Sequence, residues 1–127
     1  MTKKHFTAAS AALLAGLALA GCGGGIDEES TIVEGGSPER GRQAILEYGC
    51  TSCHSIPDID SVDDESVAPD LHGFSERDFI AGHVSNHPEE LIEWLQNPQE
   101  IAPGTLMPDL GVTEEDARDI AAYLYSQ

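Results

Sequence analysis

Five consecutive residues, Cys50-Thr51-Ser52-Cys53-His54, place two thiols and an imidazole within one turn of chain. That spacing suits covalent capture of a haem. The thiols add across the two vinyl groups, and the histidine is left beneath the iron as its proximal ligand. A C-x-x-C-H run reads as c-type haem attachment. Two other chemistries use part of the same pattern. A thioredoxin-like redox pair uses C-x-x-C but expects a βαβ surrounding, and no segment here alternates as a strand does. A zinc site wants a second ligand pair at finger-like spacing, and the downstream His72, His83 and His87 form no such pair.

A haem iron with one histidine leaves a second axial position, whose occupant sets potential and reactivity. Apart from the initiator, the chain holds one methionine, Met107, in Pro103-Gly104-Thr105-Leu106-Met107-Pro108. Prolines on both sides stiffen this loop and keep it out of a helix. A thioether held there can be presented to the iron. A lone methionine is otherwise core filler, but Met107 sits on no amphipathic face. His72, His83 and His87 are rival ligands with plainer explanations. His72 and His87 read as loop residues, and His83 as a helix end, where charged histidine is favourable.

The third cysteine belongs to the N-terminus. Lys3 and Lys4 precede a small, apolar stretch from Phe6 to Ala20, followed by Gly21 and Cys22. The stretch is too short for a spanning helix, which needs about 20 apolar residues. A charged start, an apolar middle and small residues at the end describe an export signal. Leu19-Ala20-Gly21-Cys22 resembles the lipobox of bacterial lipoproteins. The resemblance implies a diacylglyceryl group on Cys22, cleavage of residues 1–21, and anchorage on the periplasmic side of a membrane. The alternative is an ordinary secreted protein with a leftover cysteine, a liability in an oxidising compartment.

Loss of residues 1–21 removes both lysines and takes the formal charge from −17 to −19, because all 23 acidic residues remain against four arginines. Nucleic acid is excluded as a partner, since phosphate binding needs the opposite sign. The acidity reads as a docking surface for a basic partner, as adaptation to high salt, or as a plain solvated surface. The acids are spread along the chain, and the mature part lacks lysine throughout, which favours the salt reading or a mixture.

Residues 22–36, rich in Gly, Glu and Ser, read as a flexible tether with a reach of roughly 20 Å. Residues 37–127 form one domain, small for a self-sufficient core, to which a buried haem adds apolar contact. Residues 57–70 hold six acids and two prolines and read as a loop. Ser37-Pro38 starts a first helix, with Gly41, Ala44, Ile45 and Tyr48 on one face. A second, shorter helix is expected to start after Ser75 and end near Gly82. A third starts near Pro88, has Leu91, Trp94 and Leu95 on its apolar side, and stops at Asn97-Pro98. The last opens on a capping-box-like pair, Thr113 and Asp116, with Ala117, Ile120, Ala121 and Leu124 as its stripe. Strand signals are essentially absent, so the domain is predicted to be all-α.

Residues 38–127 resemble class I c-type cytochromes, the small single-haem bacterial ones. The resemblance rests on Gly41 and Ile45, the Cys50–His54 run, Ala68-Pro69-Asp70-Leu71-His72-Gly73, the helix with Trp94, the Pro103–Pro108 segment, and a terminal helix through Tyr123-Leu124. It implies an orthogonal helix bundle around one covalent haem c, with the first and last helices crossing at Gly41. It also implies His54 and Met107 as axial ligands and the Pro69 carbonyl as acceptor for the His54 Nδ1–H, in line with the outer-shell fixing of axial imidazoles. The family usually has Gly where this chain has Ala68. Trp94 resembles the family aromatic that packs on the haem and can reach a propionate; plain core packing is the alternative. The resemblance implies a membrane-tethered electron carrier, fed by a quinol-oxidising complex or dehydrogenase and emptied by a terminal oxidase. Two other classes stay open: a haem subunit of a multi-subunit oxidoreductase, and a haem-based gas sensor or peroxidase with Met107 off the iron.

Overall fold

In the computed structural model, residues 31–60 and 66–127 are described; the expected leader, Cys22, the tether up to residue 30 and part of the acidic loop lie outside them. The described chain forms helices α1 (Pro38–Glu47), α2 (Pro88–Gln96), α3 (Pro98–Ile101) and α4 (Glu114–Tyr125). A short antiparallel hairpin joins β1 (Phe79–Ile80) to β2 (Val84–Ser85).

The α1 face read from the sequence is the one that packs: Gly41, Ala44 and Ile45 are buried and Tyr48 is half-buried. Ser37 Oγ accepts the Arg40 N–H at 3.3 Å, and Pro38 takes the first helical position, both favourable at a helix start. α4 crosses α1 at Gly41. A Cβ there would lie 2.0 Å from the Asp119 carbonyl oxygen, so the backbones meet where no side chain fits. Beside the crossing, Asp119 is buried at 2% exposure. Its Oδ1 accepts from the Ser37 N–H at 2.7 Å and from Arg40 Nη2 at 2.8 Å, and its Oδ2 accepts from Arg40 Nε at 2.6 Å. A bidentate guanidinium and a backbone donor together satisfy the buried carboxylate.

Thr113 caps α4 by accepting the Asp116 N–H. The aspartate, too short to reach back to the Thr113 N–H, is joined to it through Tyr48. The Thr113 N–H donates to the Tyr48 hydroxyl at 3.4 Å, and that hydroxyl donates to Asp116 Oδ2 at 2.8 Å. Hydrogen bonds from Thr113 and Tyr48 hold the Asp116 carboxyl below the usual aspartate range. The tie between α1 and α4 therefore persists above the ordinary aspartate pKa of about 3.9, and is lost only as pH falls through the depressed value. α4 also packs on α2. It is buried on more than the expected stripe, because Asp119, Ala122, Tyr123 and Tyr125 are buried too.

The helix expected over Ser75–Gly82 is not formed. A single 3₁₀ turn at Phe74–Glu76 is followed by the hairpin. Ala81 and Gly82 take φ of +50° and +73°, which no right-handed helix accommodates. The Asn86 amide donates to the carbonyls of Phe74 at 2.8 Å and Arg77 at 2.9 Å, occupying acceptors a helix would use. Asn86 Oδ1 accepts from the Tyr125 hydroxyl at 2.7 Å, which fastens this region to α4. His83 therefore lies in the hairpin loop rather than at a helix end. Apart from this hairpin, the described domain is helical, as the sequence predicts. Asn97 ends α2 as expected, and Pro98 then opens α3. Toward the N-terminus the packed surface reaches back to Val33, which is buried, and Gly36 lies against Arg118 and Ala122 of α4.

Because the Gly41 contact is backbone against backbone, Gly41→Ala is expected to force the helices apart. Denaturant unfolding of the holoprotein should show a loss of about 2–3 kcal/mol or more, against less than ~0.5 kcal/mol for a surface change such as Gln43→Ala.

Candidate haem site

α1 ends at Glu47 with Tyr48 as its cap, and Gly49, at φ +70°, turns the chain into the Cys50–Ser52 3₁₀ turn. The Cys53 and His54 N–H groups both donate to the Cys50 carbonyl, at 3.2 and 3.0 Å, so the five-residue motif is held as one unit. The segment from Ser66 to Leu71 runs beside it. The Ala68 N–H and the Ser66 hydroxyl donate to the Cys53 carbonyl, at 3.1 and 2.6 Å, and the Leu71 N–H donates to Ser55. This pairing brings the Pro69 carbonyl oxygen 2.7 Å from His54 Nδ1. With the Nδ1 proton donated to that carbonyl, the free His54 nitrogen is Nε2, the one suited to a metal. Ala68, where the resembled family has Gly, sits at an ordinary negative φ, so the residue is accommodated without backbone strain.

A cavity of about 650 Å³ opens beside the motif. Cys50, Cys53, His54, Pro69, Trp94 and Met107 all line it. Ile45, Tyr48, Leu71, Phe74, Ile80, Leu91, Leu95, Ile120 and Leu124 complete an apolar wall. The size lies within the range of cofactor sites, and a mostly apolar wall with a few convergent donors is their usual make-up. Two thiols, a free imidazole nitrogen and a thioether on one apolar cavity are the donor set a covalent haem requires, so the residues present fit the group. Before haem attachment, burial pushes the Cys50 thiol above its ordinary pKa.

Met107 is half-buried against the core, on a loop leading away from α3. His72, His83 and His87 are not among the residues lining the cavity. His72 is turned to Asp70, with Nδ1 2.6 Å from Oδ1. His87 takes the capping position of α2. Trp94 is buried at 5% exposure between Leu91 and Leu95 on the cavity side of α2.

Three contributors went unseen in the sequence. Arg77 lines the cavity, donates to the carbonyls of Asp70 and His72, and stacks its guanidinium 5.8 Å from the Phe74 ring centroid. Phe74 packs edge-on against Tyr125. Gln99 is bonded to the loop that carries Met107. Arg77 carried one signal, as one of four arginines in a strongly acidic chain; Gln99 carried none.

The family model described as Cytochrome c matches residues 38–127. The chain is 33% identical over 111 residues to a cytochrome c oxidase subunit 2 of Alkalihalophilus pseudofirmus, a match covering 79% of this chain and 31% of that protein. It is 32% identical over 87 residues to the subunit 2 of Bacillus sp. strain PS3, covering 66% and 24%, and 31% identical over 88 residues to that of Bacillus subtilis, covering 68% and 25%. The chain thus spans about a quarter to a third of the length of these relatives. The chain belongs to the cytochrome c family. It is a haem-based electron carrier with covalently bound haem c.

If Cys50 and Cys53 each supply one thioether, Cys53→Ala should leave one vinyl group unsaturated. The reduced pyridine adduct should then absorb at longer wavelength than that of the native protein. An unshifted spectrum would exclude Cys53 from the linkage.

Proposed function

We propose that this chain is a membrane-tethered electron carrier with His54 and Met107 as the axial pair, delivering electrons to a terminal oxidase. The observation that carries this reading is the convergence of Cys50, Cys53, His54 and Met107 on one apolar cavity. When bound, haem c supplies a one-electron couple between two oxidation states of iron. The rest is done by the chain. His54, steadied by Pro69, offers Nε2, and Met107 offers its thioether. Two protein ligands leave no open position for oxygen or substrate, and a thioether raises the potential. Both effects favour a carrier over a catalyst or sensor.

The mouth of the cavity suits transfer between proteins. Among the described residues, none of the acidic side chains lines it, and Arg77 is its one guanidinium. Val67, Phe79, Leu106 and Leu110 are exposed apolar side chains on its lining. An apolar contact on a chain of strongly negative net charge fits a basic partner with an apolar contact of its own, with an encounter rate that falls as salt rises. An upstream quinol-oxidising complex or dehydrogenase would use the same face. Similarity to proteins named cytochrome c oxidase subunit 2 supports an oxidase as electron acceptor. The same similarity favours a second reading, a haem c subunit retained inside an oxidoreductase complex; co-purification with a catalytic subunit in mild detergent separates the two. No helix among the described residues is long and apolar enough to cross a membrane. The tether in this proposal is a lipid on Cys22, on the periplasmic side, and it rests on the lipobox-like Leu19-Ala20-Gly21-Cys22. Attachment keeps delivery local by raising effective concentration.

Cys22→Ser should move the domain from membranes to the soluble fraction, or leave an unprocessed precursor, with the haem spectrum intact. Normal processing with retention on membranes contradicts the lipid anchor. Met107→Ala should open the reduced protein to carbon monoxide and lower its reduction potential. Carbon monoxide binding equal to that of the native protein contradicts the assigned ligand.

A further inference from the structure

The loop that presents Met107 has few contacts of its own. Pro103, Gly104, Leu106, Pro108 and Asp109 are exposed, and only Thr105 and Met107 are half-buried. Its internal bonds are local: the Thr105 N–H donates to Ala102, and the Met107 N–H to the Thr105 hydroxyl at 3.4 Å. α3, by contrast, is firmly seated. Pro98 is fully buried, Ala102 is 4% exposed, and Ile101 packs on the core. The side-chain amide of Gln99, the second residue of α3, spans the gap between this fixed element and the loop. Its Nε2 donates to the Thr105 carbonyl at 2.8 Å and to the Met107 carbonyl at 2.8 Å. Both amide protons are thereby used on the two carbonyls that bracket Leu106.

From this geometry we infer that Gln99 is a positioning residue for the iron's thioether ligand. It ties the Met107 backbone to α3 and so sets how seldom the loop opens and leaves the axial position free. The inference rests on Met107 being the ligand, as proposed above. A ligand from solution can reach the iron only when the thioether is away, and its apparent binding scales with that open fraction. Gln99 thus governs exclusion of small ligands without touching the iron.

Gln99→Glu keeps the size and shape of the side chain but removes both donors and sets a carboxylate against two carbonyl oxygens. In the oxidised holoprotein, cyanide should bind roughly tenfold faster than in the native protein, the effect of losing about two modest hydrogen bonds. The weak sulfur-to-iron band at the red end of the visible spectrum should be lost at a lower temperature. Gln99→Ala should act in the same direction and serves if the glutamate variant fails to accumulate. Gln96→Glu makes the same charge change, at an amide that donates to Ile92 of its own helix at 3.1 Å, and should leave the cyanide rate unchanged. In a Met107→Ala background, binding should be fast and insensitive to Gln99→Glu, because the gate is already gone. If Met107→Ala opens the iron while both Gln99 variants bind cyanide at the native rate, the positioning role is overturned and the ligand assignment stands. If Met107→Ala binds cyanide as slowly as the native protein, the ligand assignment fails and the role of Gln99 falls with it. A Gln96→Glu rate raised as much as that of Gln99→Glu would reduce the effect to charge and overturn the inference.

Discussion

The contact of α1 with α4 at Gly41 is the constraint on which the rest of the structure depends. Two helix backbones can approach this closely only where one of them carries no Cβ. The same approach buries Asp119, which is stable in that position because Arg40 and the Ser37 N–H are brought onto it. One end of α1 is thereby locked to α4. At its other end Tyr48 makes a second tie, through Asp116 and Thr113. Between the two ties α1 has a single position against α4, and the motif at Cys50–His54 follows directly from its C-terminus.

That position gives the cavity its walls. Ile45 and Tyr48 of α1 and Ile120 and Leu124 of α4 face the space that Leu91, Trp94 and Leu95 of α2 bound on another side. His54 and Met107 reach it from segments of different character. His54 lies in a short turn braced by the Ser66–Leu71 segment, and Met107 on an exposed loop tied to α3. The two protein donors differ accordingly: His54 is fixed by several backbone bonds of its turn and of the Ser66–Leu71 segment, the Met107 loop by its bond to Ala102 and the Gln99 amide. A small domain with an apolar cavity of this size beside its core has little apolar contact to spare, and the haem c of the family supplies more.

Much of this arrangement was legible before any coordinates. The Cys50–His54 run is chemistry at fixed local offsets. The α1 face and the Thr113 start of α4 are signals of periodicity and capping, carried within a few residues. Met107 stood out through its flanking prolines and the lack of a competing methionine. What was not legible rests on pairing across long stretches of sequence. The hairpin replaces a helix because Asn86 bonds to Phe74, Arg77 and Tyr125, the last 39 residues away. Asp119 reads as a surface charge until Arg40, 79 residues earlier, is seen to meet it. Gln99 belongs to a four-residue helix with no periodicity to mark either of its faces. The acidic excess, by contrast, was visible as composition, but that no acidic side chain among the described residues lines the cavity appears only in three dimensions.

The central claim is the proposal that His54 and Met107, both on the lining of the Cys50–Cys53 cavity, would together hold the haem iron. It is tested most directly by proton magnetic resonance of the reduced holoprotein, observing the Met107 methyl group. A thioether bound to the iron lies over the face of the macrocycle, and its methyl resonance should be displaced far upfield by the ring current. A methyl signal at the ordinary position for a methionine side chain would contradict the account.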